Sequence, residues 1–347
     1  NTVLVTLKFV GALLLMRFVT QNILHFFAYQ LIVGILELLS MATMMYRLIP
    51  SPEKVGVALF LGTLRKVLPF AGGIAFAAAI WVVLTQLDKL VLSNILPLSE
   101  YGFFSLVAVI ATGISQIGAP ISQAILPRMT NLLSQGDEQG MLLLYRQSTQ
   151  LMSVIILPLT AIIAFFSTEL LYAWTGDRNA ADWAGPVLFW FALGNGILAI
   201  GAFQFYLQFA HGQLKMHVIF NSILAAIQIP LILFAAYQYG VMGVALTWFA
   251  LRVLSFFIWT PIVHKRFAQG IHLSWLLRDI GPSFAMTAML VLAVLKIDVQ
   301  FEQMDRWAIL VTLIGVGLLM LVSNTLVSRA PRNLLVGATK KSVSNDD

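Results

Sequence analysis

The chain has 347 residues, 59% of them hydrophobic and only 10% charged, with a mean hydropathy of +0.89 and a formal net charge of +6. A soluble domain is about a quarter charged, so this composition excludes a soluble globular protein. The positive charge becomes a topological signal rather than a nucleic-acid one, and the lack of cysteine excludes a disulfide framework or a thiolate metal site.

A membrane-spanning helix needs about 20 mostly apolar residues. Ten stretches read as such helices: 2–19, 23–48, 67–97, 100–127, 141–168, 184–210, 215–238, 241–264, 278–297 and 306–327. The apolar runs are continuous, whereas a membrane β-barrel shows alternating segments of about ten residues. The fold class is therefore all-α, a polytopic membrane helical bundle of about ten transmembrane helices. The chain opens on Asn1 and is membrane-like from Thr2, without a signal-peptide pattern. We therefore expect further helices to precede it.

In chain order, the first stretch carries Lys8 and Arg17, the latter an interfacial anchor. The second carries Glu37 near its middle, in LIVGILELLSMAT. The 50–66 segment, PSPEKVGVALFLGTLRK, is the longest cytoplasmic connection between spans. It reads equally well as an inter-bundle linker or an amphipathic interfacial helix. The stretches 67–97 and 100–127 flank the polar break Pro97-Leu98-Ser99-Glu100.

The first of these two carries the adjacent acid and base Asp88 and Lys89. Charges in so apolar a run are costly unless they face water or a partner. As one helix, 67–97 would be about 46 Å long against a hydrocarbon core of about 30 Å. The pair thus lies in the outer leaflet facing a cavity, or just beyond the membrane. Thr85, Gln86, Ser93 and Asn94 favour the cavity.

Arg252 sits mid-span in ALTWFALRVLSFFIW, too deep to snorkel, and should face the bundle interior. Its readings are contact with an anionic substrate, a gating ion pair or a structural salt bridge. Glu37 suits a proton-coupled carrier or a structural pair with Lys8. In-span polar groups such as Gln116, Asn195, Gln204 and Gln228 suit interhelical hydrogen bonds or a cavity lining. Pro120, Pro158, Pro230 and Pro261 are expected to kink their helices. The tail 328–347 is polar and expected to be disordered.

With the 48–66 connection in the cytoplasm, fourteen lysines and arginines lie on the cytoplasmic side and five on the other, which places both ends of the chain inside. No loop is long enough for a folded extramembrane domain, which weighs against receptors and loop-based membrane enzymes. The five histidines have no metal-ligand spacing, and no Walker, HExxH or GxSxG motif occurs. No catalytic residue, cofactor or metal ligand is assigned.

The run QLDKLVLSNILPLSEYGFFSLVAVIATGISQIGAPISQAILPRMTNLLSQGDE, 86–138, carries Asp88-Lys89-Leu90, Glu100-Tyr101-Gly102, Pro127-Arg128 and Gln135-Gly136-Asp137-Glu138. With Trp174-Thr175-Gly176-Asp177 and Ala210-His211-Gly212 further on, it resembles bacterial polysaccharide flippases of the O-antigen type, in the multidrug/oligosaccharidyl-lipid/polysaccharide exporter superfamily. The resemblance implies a two-lobe transporter with a central cavity. On this chain it implies the last two helices of an N-terminally truncated N-lobe (1–49), a linker (50–66), a six-helix C-lobe (67–268), two additional helices (269–327) and a cytoplasmic tail (328–347). It implies a carrier that flips a polyprenyl-diphosphate-linked oligosaccharide across the bacterial inner membrane by alternating access, driven by an ion gradient. The partners implied are that lipid-linked substrate, the bilayer and the polysaccharide polymerisation machinery, with no nucleic acid. Lys89, Arg252 and Lys8 would contact the substrate, and Asp88 and Glu37 would serve ion coupling or a gate.

The nearest alternatives are a cation-coupled drug antiporter and a peptidoglycan-precursor flippase of the same superfamily. The in-span charges are at least as basic as acidic, which disfavours a drug-cation site. A membrane glycosyltransferase or polymerase, from another class, should show a large outer loop with catalytic acids or arginines.

Overall fold

The computed structural model describes residues 2–48, 57–297 and 299–330. Residues 50–56 of the predicted connection and 331–347 of the predicted tail lie outside the described residues. The chain divides into two compact units, Asn1–Gly72 and Gly73–Asp347.

In the first unit, α1 (Thr2–Thr6), a π-helical turn (Leu7–Gly11), α2 (Ala12–Leu14) and a second π-helical turn (Leu15–Val19) form one continuous helical run. α3 (Ile23–Leu48) follows, and the Asn22 side chain accepts from the Leu24 N–H at 2.9 Å at its start. A π turn disturbs the regular i→i−4 ladder, and two α3 side chains bond to carbonyls within the first one. Tyr29 Oη donates to Leu7 O at 2.6 Å, and Gln30 Nε2 donates to Lys8 O at 3.3 Å. Val33 is the buried residue of α3, and large apolar side chains stand exposed along its length. Such a surface suits lipid or further helices rather than water.

α4 (Val57–Ile95) leads into the second unit, which continues with α5 (Leu98–Ser134), α6 (Glu138–Phe165), α7 (Ser167–Thr175), α8 (Arg178–Gly201), α9 (Phe203–Ala210) and α10 (Lys215–Phe267). Then come α11 (His272–Trp275), a π turn (Leu276–Ile280), α12 (Gly281–Lys296) and α13 (Arg306–Val327). No strand occurs among the described residues. Eight helical stretches among them are long and apolar enough to cross a membrane. The chain is thus a multi-pass membrane protein, as its composition implies.

α10, with 53 residues, is far too long for one span. It breaks at Gly240, with φ 62° and ψ −151°, a region of backbone space open essentially to glycine alone. The break separates the predicted spans 215–238 and 241–264. The helical assignment runs on through Pro230 and Pro261. A proline keeps a helical φ and removes one hydrogen bond, whereas a positive φ reverses the local course of the chain. α5 likewise continues through Pro127 to Ser134.

Two Gly-Asp pairs set the turns around α6 and α8. Gly136 and Gly176 take positive φ at the ends of α5 and α7. Asp137 then accepts from Gly140 N–H at 2.8 Å, and Asp177 from Ala180 N–H at 3.2 Å. A left-handed glycine closes one helix and an aspartate caps the next.

α8 is the centre of the second unit, packing against α5, α6, α7 and α10. Small residues permit this: Ala181, Ala184, Gly185, Ala192, Gly194 and Gly196 are all buried. Small faces let helix backbones approach closely where lipid supplies no hydrophobic drive.

The additional pair α12 and α13 docks on α6 and α7. Ile162, Phe166, Val291, Ile309, Leu313 and Met320 form its apolar seam. At one end, Arg306 at the start of α13 donates to the Ala173 and Trp174 carbonyls of α7, at 3.4 and 3.0 Å. At the other, Asp279 accepts from Arg146 at 2.7 Å and from Gln150 at 2.7 Å, both on α6. Gln150 Oε1 in turn accepts from Ala330 N–H at 2.9 Å.

Candidate functional site

Leu84 and Asp88 are four residues apart on α4 and so share one face of the helix. That face turns inward, with Leu84 buried and Asp88 only 5% exposed. Leu84 packs with Ile80, Leu224, Ala225 and Leu251, the last three from α10. On top of this apolar contact sits a polar knot. Gln228 Nε2 donates to Leu84 O at 2.8 Å, and Arg252 Nη2 donates to the same carbonyl at 3.1 Å. Arg252 Nη2 also lies 3.2 Å from Gln228 Oε1. The guanidinium stacks on Trp248 at 3.9 Å from the ring centroid, a strong cation–π geometry where water is excluded.

Arg252 is 4% exposed, so its donors are turned to protein. It joins both halves of α10 to α4. Asp88 leaves Oδ1 without a hydrogen-bond partner, and Arg252 leaves Nε in the same state. The two form no ion pair; among the described residues the ion pair within 4.0 Å is Arg146–Asp279.

Lys89 turns away from its neighbour. Its position, about 100° further round the helix, places it with Thr85 and Ser93. Nζ donates to Thr85 O at 3.2 Å and to Gln86 Oε1 at 2.9 Å. An ammonium has three donors, so capacity remains for an anion. Ser93 and Asn94 donate to Leu90 O at 2.9 and 2.8 Å. Thr85 and Lys89 are partly exposed, and Gln86, Ser93 and Asn94 are exposed. A polar stripe thus runs along an otherwise apolar spanning helix.

Lys8 and Glu37 belong to the first unit. Both are partly exposed, and they form no ion pair with one another. Much of the remaining in-span polarity joins helices: Trp259 Nε1 donates to Gln204 Oε1 at 2.8 Å, and Ser115 to Asn195 Oδ1 at 3.4 Å. Gln116 and Gln123 on α5 are exposed instead.

Two clusters escaped the sequence reading. One is Arg146, Gln150 and Asp279. The other joins Tyr145, His264 and His272, with Tyr145 Oη 2.7 Å from His264 Nε2 and the two Nδ1 atoms 2.9 Å apart. Neither has a sequence signal, because the partners lie on different helices and carry no motif. No group of three metal-ligating side chains occurs among the described residues.

A family model described as polysaccharide biosynthesis protein matches residues 5–181, just over half of the chain. The matched segment contains Asp88 and Lys89 and ends before Arg252. The chain is also 25% identical over 199 residues to a Shigella flexneri protein named "Putative O-antigen transporter". That match covers 57% of this chain and 46% of the relative, so the chain spans about half the length of the curated relative it matches.

Proposed function

This chain belongs to the polysaccharide biosynthesis protein family, and from that premise we propose that it is part of a transporter moving a polyprenyl-diphosphate-linked oligosaccharide across the bacterial inner membrane. Lys89 is the residue that meets the substrate. The observation carrying this reading is the polar stripe of α4, where a partly exposed ammonium with donor capacity stands among Gln86, Ser93 and Asn94. A diphosphate needs cationic donors, and sugar hydroxyls need amide and hydroxyl partners. The name of the Shigella relative points the same way.

Arg252 holds α4 to α10 and would reach the substrate only once those helices separate. Lys8 is a further cationic contact, and Asp88 and Glu37 are the carboxylates for ion coupling or gating in an alternating-access cycle. The chain is read as two lobes divided at the 50–66 connection, with both ends cytoplasmic and no catalytic chemistry of its own.

The test is translocation of a fluorescent polyprenyl-diphosphate oligosaccharide in membrane vesicles containing the chain. Lys89→Ala should slow flipping by about tenfold, the loss of one charge-assisted contact, and Lys89→Arg should restore most of it. Wild-type rates in Lys89→Ala, with unchanged protein levels, would remove Lys89 from the substrate path.

A further inference from the structure

Three side chains unused by the proposed transport site form a row that ties three helices together. Tyr145 on α6 and His264 near the end of α10 are fully buried, and His272, the first residue of α11, is partly exposed. Tyr145 Oη, His264 Nε2, His264 Nδ1 and His272 Nδ1 stand in sequence, with the two contacts at 2.7 and 2.9 Å. Trp275 covers the row, edge-on to His264 at 4.8 Å and stacked near His272 at 6.2 Å and Tyr145 at 6.3 Å. Its indole N–H is held by Thr149 at 3.0 Å. The segment from α10 to α11 turns at Gly270, with φ 79°.

Counting protons gives the row a direction. A hydroxyl carries one hydrogen, and a neutral imidazole carries one N–H and one acceptor nitrogen. With His272 neutral, Tyr145 O–H donates to His264 Nε2, and His264 Nδ1–H donates to His272 Nδ1. Every inward polar hydrogen then has an acceptor. A proton added at His272 Nδ1 reverses this order. His264 must now accept at Nδ1 and carry its hydrogen at Nε2, pointing at Tyr145. The Tyr145 hydroxyl hydrogen is displaced from the acceptor it is hydrogen-bonded to, His264 Nε2. A buried donor left without a partner is costly, and a row that relaxes by releasing His272 avoids that cost.

We propose that the Tyr145–His264–His272 row is a proton-sensitive latch that fastens α11 to α6 and to the end of α10, and that protonation of His272 opens it. The charged groups facing it do not replace the missing acceptor. On α6, Arg146 is committed to Asp279 of the following π turn at 2.7 Å. On α10, Lys265 and Arg266 follow His264 and are exposed, and they disfavour a further positive charge nearby. His211 packs its ring on Phe267 at 4.9 Å. Because α11 leads directly into α12, an open latch frees the start of the additional helix pair.

Hydrogen exchange of the full chain in nanodiscs tests this, read on the 264–276 segment and corrected for intrinsic exchange rates. On lowering the pH from about 7.5 to about 4.5, a range that starts above the ordinary histidine value and extends below it because burial disfavours the charged imidazole, protection in the wild type should fall by about tenfold, the equivalent of one buried hydrogen bond. His272→Gln should abolish the pH response. Tyr145→Phe, which removes the displaced hydrogen, should shrink it. A wild-type segment indifferent to pH, or a full response retained in either variant, would overturn the latch. Because transport is not the readout, failure of the transport reading leaves this outcome interpretable.

Discussion

Arg252 is a charge buried within a spanning segment. One guanidinium nitrogen serves both the Leu84 carbonyl and the Gln228 amide oxygen, and its plane lies on Trp248. Arginine fits because its planar group can hydrogen-bond at its edge and stack on its face at once. Arg252→Lys keeps the charge and loses the fork and the stack. It should lower stability by about 1–2 kcal/mol, and Arg252→Ala by about 2–4 kcal/mol, since Gln228 loses a partner and the Trp248 face loses its cation. Thermal unfolding in detergent measures both, and a lysine variant as stable as the wild type would refute the stacked-fork account. Sequence alone flags Arg252, because a mid-span charge has nowhere to snorkel. It does not reveal that the partners are a carbonyl and an amide rather than Asp88, since that depends on how α4 is rotated against α10.

At the scale of elements, α8 sets the spacing of the second unit. A Cβ built on Gly194 would lie 2.8 Å from Trp248 Nε1 and 2.9 Å from its Cδ1, the ring that carries Arg252. Gly194→Ala should therefore push α8 from α10 and cost about 1–3 kcal/mol by overpacking. Gly113 on α5 has nothing within 4 Å of such a Cβ. Gly113→Ala should be neutral or stabilising by up to about 1 kcal/mol, from helix propensity alone. Equal effects in the two variants would show that close approach of α8 and α10 is not what Gly194 provides. The helix ends at Gly136-Asp137 and Gly176-Asp177 are set by local capping chemistry, whereas hydropathy alone put the neighbouring span ends at 127, 141, 168 and 184. The central place of α8 was not legible in the sequence, because a small-residue face says that something comes close without saying which helix does.

For the whole molecule, the distribution of lysine and arginine makes a claim about sidedness that is open to direct test. The chain has no cysteine, so single cysteines report cleanly. Gln135→Cys lies in the turn between α5 and α6, and Asn179→Cys at the start of α8, both exposed. With the basic loops inside, a membrane-impermeant maleimide should label Asn179→Cys in intact cells and Gln135→Cys only after permeabilisation. The opposite pattern would invert the topology and place the α10–α11 latch on the outer side.

The sequence by itself determined that this is a multi-pass helical membrane protein, where nearly every spanning run lies, and that it resembles polysaccharide flippases. Those features follow from hydropathy, run length and local motifs, each contained within one short stretch of chain. Only the tertiary structure decided that Asp88 turns inward while Lys89 turns to an exposed polar stripe, although the two are adjacent. It also decided that Arg252 is committed to α4, and that Tyr145, His264 and His272 stand in a row. Such pairings depend on the rotation and spacing of helices packed together, which no single helix encodes.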